Sequence, residues 1–252
     1  MNDIIFRYML IAWITIAILV FISLFFIDAP YGRYFRRSFG PSINGRFGWI
    51  AMEAPAPLVF TAFFIADIEM VTLVQVIFLA MWTTHYLDRS FIYPIKLRIS
   101  SKPFPLVVLL AGLGFNIMNA YLNSKYIMSN ASKYSEIWLY DTRFIAGFAL
   151  FLLGFIVNRH SDYILYGIRS KSRHEYSIPQ GGLYRWVSCP NYLGEIVMWI
   201  GWAVSTWSPV AAAFSLWTVA NLVPRARSHH QWYQQNFKGF PGERRAIIPW
   251  IW

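Results

Sequence analysis

Charge is what this sequence has least of. Only 13% of its 252 residues are Asp, Glu, Lys or Arg, and just 12 are acidic, whereas a soluble domain carries roughly 25% charged residues. With 57% hydrophobic residues beside that shortage, there is too little polar surface for a water-soluble fold, and most of the chain is expected to face lipid. Cysteine is nearly missing as well. The single Cys189 excludes an intramolecular disulfide framework, and no spaced Cys/His set suggests structural zinc. No metal is therefore expected, and stability has to come from helix packing. No Gly-x-Gly-x-x-Gly follows a strand and there is no Walker loop, so any nucleotide must be held by helices and loops. No fixed-period repeat or low-complexity linker interrupts the chain, which makes one domain over residues 1–252 the economical reading.

What the sequence has in abundance is apolar runs, which can be measured against the roughly 20 residues a helix needs to cross the hydrocarbon core. Seven spans are expected, near Tyr8–Ile27, Gly48–Ala66, Val71–Tyr86, Phe104–Leu122, Arg143–Val157, Tyr192–Trp207 and Pro209–Val223. The first run is long for a signal peptide and meets Asp28-Ala29-Pro30 instead of a small-residue cleavage pattern, so it counts as a mature span. Ser208-Pro209 is the only break between the last two runs, and their combined length favours a tight hairpin over one kinked helix. The expected fold class is all-α, an integral membrane bundle of seven transmembrane helices.

Net charge is +10, but the basic residues sit in short loops between apolar runs. Membrane proteins distribute positive charge in this way, so no nucleic-acid partner is expected. Arg33, Arg36, Arg37 and Arg46 lie in the first loop, and Arg89, Lys96, Arg98 and Lys102 in the third. Arg159, Arg169, Lys171, Arg173 and Arg185 lie in the fifth, and Arg225, Arg227, Lys238, Arg244 and Arg245 in the tail. With seven spans these segments share one side, while the second loop offers Asp67 and Glu69 and the sixth no charge. The N-terminus is then outside and the C-terminus cytoplasmic.

An ionisable side chain at membrane depth costs about 2.5–3.5 kcal/mol on insertion scales, so those inside apolar runs need a reason. Glu53 lies in the second run, with Trp49 one turn earlier on the same face. A carboxyl beside a large aromatic inside a bundle is expected to keep its proton; the alternative is a single structural hydrogen bond between helices. His85-Tyr86-Leu87-Asp88-Arg89 ends the third run, where Tyr86 taken alone reads as an interface anchor. Asn116 and Asn119, three apart on one face of the fourth run, either line a polar cavity or bond to a neighbouring helix.

The densest polar region runs from Asn158-Arg159-His160-Ser161-Asp162-Tyr163 through Arg169, Arg173 and Tyr176 to Asn191-Tyr192-Leu193-Gly194-Glu195. Asn158 and Asp162 are four apart at a helix end, and Asn191 and Glu195 at a helix start, giving two polar faces able to converge on one ligand. Arg169, Arg173, Arg225 and Arg227 suit a phosphate-bearing ligand because the guanidinium fork binds bidentately. They equally suit the positive-inside rule or contact with anionic lipid headgroups.

These pieces carry a resemblance. Asn158 to Tyr163, Tyr176-x-Ile178-Pro179-Gln180-Gly181-Gly182-Leu183 and Pro190-Asn191-Tyr192-Leu193-Gly194-Glu195 resemble the C-terminal region of steroid 5-alpha-reductases. The tail Arg225-Ala226-Arg227-Ser228-His229-His230-Gln231-Trp232-Tyr233 and the ending from Arg244 to Trp252 are similar to that family's closing segment. Upstream, Met52-Glu53-Ala54-Pro55 and His85-Tyr86-x-x-Arg89 match its two N-terminal signatures.

The resemblance implies reduction of a 3-oxo-delta-4 steroid by NADPH, with Glu53 and Tyr86 as hydrogen-bond donors to the C3 oxygen. Trp49 would pack on the sterol body, with Arg89 beside it on the substrate side. It further implies that Asn158, Asp162, Arg169, Arg173, Tyr176, Asn191, Glu195, Arg225, His229 and Tyr233 hold NADPH. Residues 1–122 would then form mainly the steroid side and 143–252 mainly the cofactor half. Asp162 and Glu195 would accept hydrogen bonds from ribose, the nicotinamide amide or a nearby arginine, since a bare carboxylate repels pyrophosphate. Another sterol or enoyl reductase of the same broad fold, or a non-catalytic sterol-binding membrane protein, remains open as an alternative. An isoprenylcysteine-type methyltransferase would use S-adenosylmethionine and would have no need of Glu53 and Tyr86. The expected setting is a lipid bilayer, either a bacterial inner membrane or endoplasmic reticulum.

Overall fold

The computed structural model describes residues 3–97, 103–171 and 176–252. In chain order the helices are α1 (Asp3–Ser23), α2 (Gly45–Glu53), α3 (Pro55–Ala66), α4 (Leu73–Leu87), α5 (Tyr93–Lys96), α6 (Leu106–Ser129), α7 (Thr142–Lys171), α8 (Pro190–Thr206) and α9 (Pro209–Asn236). A short antiparallel pair, β1 (Ser42–Asn44) and β2 (Pro103–Pro105), joins Ile43 to Phe104. The chain divides into two compact units, one of Met1–Asp28 with Ala146–Trp252 and one of Ala29–Ile145.

Each of the seven expected spans falls on helix. Four stretches among the described residues are long and apolar enough to cross a membrane: Ile4–Ser23, Gly45–Ala66, Leu106–Ser129 and Thr142–Ser170. The others are α4 with 15 residues, α8 with 17, and α9, whose 28 residues run well beyond the apolar part. Some boundaries differ from expectation. The second span breaks at Ala54, because Pro55 and Pro57 have no N–H to continue the ladder and Pro55 instead starts α3. Helix α7 continues past Val157 to Lys171, and α9 passes through Pro224. The break between α8 and α9 is a tight one. Trp207 takes a left-handed conformation, with φ of 48°, and the Ser208 hydroxyl caps α9 by accepting from the amides of Val210 and Ala211.

In the Ala29–Ile145 unit, α3 packs on α4 and α6. Phe60 stacks on Trp82 with centroids 4.5 Å apart, and the Trp82 indole donates to the Ala56 carbonyl at 3.1 Å. Thr72 and Gln75 form a capping box at the start of α4, and Gln75 also donates to the Ile127 carbonyl of α6 at 3.0 Å. These polar ties do work that apolar contact cannot do between helices in lipid.

In the other unit, α1 packs along α9. The Trp217 indole donates to the Trp13 carbonyl at 2.9 Å. Helices α7 and α8 meet backbone to backbone through Gly147 and Gly154 on one and Gly201 and Gly194 on the other, in pairs seven residues apart. A Cβ at any of these four would overlap the facing backbone. Only glycine permits this approach, and it carries the polar ends of both helices into register.

Candidate functional site

The expected site residues fall into two groups, one in each unit. In the Ala29–Ile145 unit, Glu53 is the last residue of α2, at the break before Pro55. Asn116 of α6 donates through Nδ2 to the Met52 carbonyl at 2.8 Å, and the same amide reaches Glu53 Oε2 at 3.4 Å. Three residues further along α6, Asn119 Nδ2 donates to the Tyr86 hydroxyl oxygen at 3.5 Å. Tyr86 is only 4% exposed and packs against the ring of Trp82, 4.8 Å away. One helix therefore holds both Glu53 and Tyr86 by their oxygens.

Trp49 and Arg89 are joined directly. After α4 the chain makes a π-helical turn over Asp88–Ile92, a widening often found at functional positions. The Trp49 indole donates to the Arg89 carbonyl in that turn at 2.9 Å. The Arg89 guanidinium is buried, lying 4.1 Å from the centre of the Tyr93 ring and 5.0 Å from that of Trp49. Trp49 belongs to a buried apolar cluster with Met52 and Phe104, against which Tyr93 packs.

In the Met1–Asp28 and Ala146–Trp252 unit, the glycine contact sets Asn158 and Asp162 of α7 against Asn191 of α8. Asn158 donates to the Asn191 carbonyl at 2.8 Å, and Asn191 donates through Nδ2 to Asp162 Oδ1 at 3.2 Å. Asp162 has no exposed surface; its other oxygen is paired with Arg159 Nη2 at 2.8 Å. Arg159 also donates to Asn158 Oδ1. Arg159 is not among the residues the resemblance assigns to NADPH, although its i,i+3 spacing to Asp162 is the signal that finds the pair.

Further along, the Arg169 guanidinium lies 4.3 Å from the Tyr176 ring, and Tyr176 meets Trp232 edge-on at 5.1 Å. On α9, His229 Nε2 bonds to the Tyr192 hydroxyl at 3.1 Å, and Arg225 lies 5.7 Å over the same ring. Tyr233 is buried and stacks on Phe240. Glu195 is half-buried one turn into α8 from Asn191. Arg173 lies outside the described residues, as do Arg98 and Lys102 of the third loop.

The tail supplies a further cationic group. Residues near Arg245 return alongside the segment before α8, with Arg245 N–H donating to the Trp186 carbonyl and Ser188 N–H to the Arg245 carbonyl. This buries Arg244 to 2% exposure. Its Nη2 donates to Gln180 Oε1 at 3.1 Å, while Nε and Nη1 have no partner among the described residues. Burial pushes its pKa below the ordinary arginine value. A buried cation with two spare donors fits an anionic group such as a cofactor phosphate, because leaving the charge uncompensated is costly. Nothing in its sequence context announces this burial.

Comparison with known proteins gives a consistent match. The profile of the family described as 3-oxo-5-alpha-steroid 4-dehydrogenase matches residues 102–252. The chain is 38% identical over 251 residues to the steroid 5-alpha-reductase DET2 of Gossypium hirsutum, covering 98% of this chain and 97% of that one. It is 36% identical over 241 residues to 3-oxo-5-alpha-steroid 4-dehydrogenase 1 of Bos taurus, covering 94% and 93%. With the Homo sapiens protein of the same name it shares 38% over 227 residues, covering 89% and 86%.

Proposed function

Because the chain belongs to the 3-oxo-5-alpha-steroid 4-dehydrogenase family, oxidoreductases that act on a CH–CH bond, we propose that it saturates the delta-4 double bond of a 3-oxo steroid using NADPH. When bound, NADPH supplies the hydride that is added at C5. The protein's own part is to stabilise the charge that this addition pushes through the enone onto the C3 oxygen. Glu53, as the protonated acid, and the Tyr86 hydroxyl donate to that oxygen, and a proton from solvent or a relay completes C4. Such donors accelerate reaction because their bonds strengthen as the enolate forms. Trp49 gives the flat steroid an apolar wall, and Arg89 stiffens that wall from behind.

The observation that supports this reading is the α6 asparagine pair, one turn apart on a single helix, of which Asn116 meets Glu53 and Asn119 meets Tyr86. Preorganisation of this kind is what an oxyanion site requires. Asn158, Asp162, Asn191, Glu195, Arg169, Arg173, Tyr176, Arg225, His229 and Tyr233 bind NADPH, residues 143–252 forming mainly the cofactor half. Arg244, with its spare donors, favours an anionic ligand on that side. In the bilayer the chain crosses seven times, with the N-terminus outside and the basic segments in the cytoplasm.

The test uses reconstituted protein, a 3-oxo-delta-4 steroid, and NADPH deuterated at C4 of the nicotinamide. The expected product is saturated, with deuterium at C5 and a solvent hydrogen at C4. Absence of saturated product, or label at another carbon, contradicts the proposal.

A further inference from the structure

Behind the contact of Asn119 with Tyr86 lies a second amide, Asn123, and both asparagines are buried in α6, at 0% and 1% exposure. Asn123 Nδ2 donates to Asn119 Oδ1 at 3.0 Å and to the Asn119 carbonyl at 3.0 Å. Asn119 in turn presents its own Nδ2 to the Tyr86 oxygen. The three groups form a directed chain, in which Asn119 accepts from Asn123 through Oδ1 and donates to Tyr86 through Nδ2.

The direction of that chain has a chemical consequence. A phenol has one hydrogen to give and lone pairs to receive. While Asn119 offers N–H, Tyr86 accepts from it, and the phenolic hydrogen has to point away from Asn119. If the Asn119 amide were turned by half a revolution, its oxygen would face Tyr86 and take that hydrogen. Which way an asparagine points is decided by its hydrogen-bond network, and here Asn123 decides it. A turned Asn119 would set its NH₂ against the NH₂ of Asn123, leaving buried donors without acceptors, at a cost of about 1–3 kcal/mol. Asn116 treats Glu53 in the same manner, meeting Oε2 with an N–H.

We propose that Asn119, oriented by Asn123, is a positioning residue that makes the Tyr86 hydroxyl a donor toward the substrate oxygen. The proposal rests on the assignment of Tyr86 as an enone donor and adds the residues that set its polarity. It also explains why a run of amides occupies a helix that lipid would otherwise fill with leucine.

The test compares Asn119→Leu, Tyr86→Phe and the double variant, with a pH series on Asn123→Asp. Asn119→Leu should lower kcat about 10- to 100-fold, no further than Tyr86→Phe does, with KM for NADPH moved less than about threefold. In the Tyr86→Phe background, Asn119→Leu should be silent, because there is no hydroxyl left to orient. Asn123→Asp keeps size and shape. While the introduced carboxyl is protonated it can still donate to Asn119, but once ionised it attracts the Asn119 NH₂ and turns the amide. Its kcat should therefore fall with rising pH where the parent enzyme's does not.

Asn119→Leu lowering the Tyr86→Phe enzyme by the same factor as the parent would overturn the proposal, since that is the signature of a packing role. An Asn123→Asp pH profile parallel to the parent's overturns it too, and decides the matter even if Asn119→Leu does not fold. A Tyr86→Phe enzyme with full turnover removes the donor role itself, and this proposal with it.

Discussion

Asn191 on α8 donates to Asp162 on α7 across 3.2 Å, and Asp162 is otherwise paired with Arg159 on its own helix. The carboxylate is fully buried and the guanidinium mostly so. Removing the cation alone leaves a buried charge short of compensation, so Arg159→Ala should destabilise the protein by about 3–5 kcal/mol. Arg159→Met combined with Asp162→Asn should recover most of that loss. Thermal unfolding in detergent checks both, and an Arg159→Ala melting temperature equal to the parent's would show the pair contributes nothing.

The same helix pair depends on close backbone approach. Gly154→Ala places a methyl group into the backbone of α8 near Met198 and Gly194. The helices must separate, at a cost of about 1–3 kcal/mol typical of overpacking. Because Asn158 and Asn191 lie at the end of that contact, protection against unfolding by NADPH should weaken in parallel. Gly114→Ala on α6 meets nothing within 4 Å and serves as the control. Helix propensity predicts it to be neutral or stabilising by about 0.5–1 kcal/mol.

How far the sequence reveals the fold is clear from where it misleads. Apolar runs located the helices because lipid exposure demands apolar side chains whatever the neighbours are. They misplaced the end of α7 because Asn158 to Asp162 look like an exit from the membrane. In the folded chain these residues satisfy one another and α8, so the helix continues to Lys171. Pro224 lies within α9 because one missing N–H is tolerable in a helix with 28 residues. The association of α1 with α9 through Trp13 and Trp217 leaves no trace in spacing, since the two are 204 positions apart. Glu53, Tyr86 and Trp49 stood out by type and motif. Asn123 and Arg244 did not, because direction of hydrogen bonding and burial of a tail are properties of three dimensions.

His230 gives stability a pH dependence. It is held by Ser188 at 2.7 Å and by Gln234 at 3.0 Å. Burial, helped by the nearby charge of Arg245, lowers its pKa from the ordinary 6.5. The unfolded chain therefore takes up a proton first. This contribution is fully present above about pH 6.5 and is lost as pH falls from there through the lower folded value. His230→Gln should flatten the decline in melting temperature over that interval; an unchanged slope would assign the pH dependence to other groups.

Topology is checked by labelling in a Cys189→Ser background, which removes the one native thiol. Asp67 and Arg185 are both exposed. Seven spans with a cytoplasmic tail predict that Asp67→Cys reacts with an impermeant reagent from outside, and Arg185→Cys only after permeabilisation. Labelling of both from the same side would rule out that arrangement.

The most direct measurement is single-turnover reduction of a 3-oxo-delta-4 steroid by Glu53→Gln, Tyr86→Phe and the double variant, at equal folded yield and saturating NADPH. Each single change should slow the hydride step by about 10²- to 10³-fold while leaving NADPH affinity nearly as it was. The double variant should lose less than the product of the two, because both groups act on one oxygen. Near-normal turnover in Glu53→Gln would contradict the account, leaving Glu53 a structural hydrogen-bond partner of Asn116.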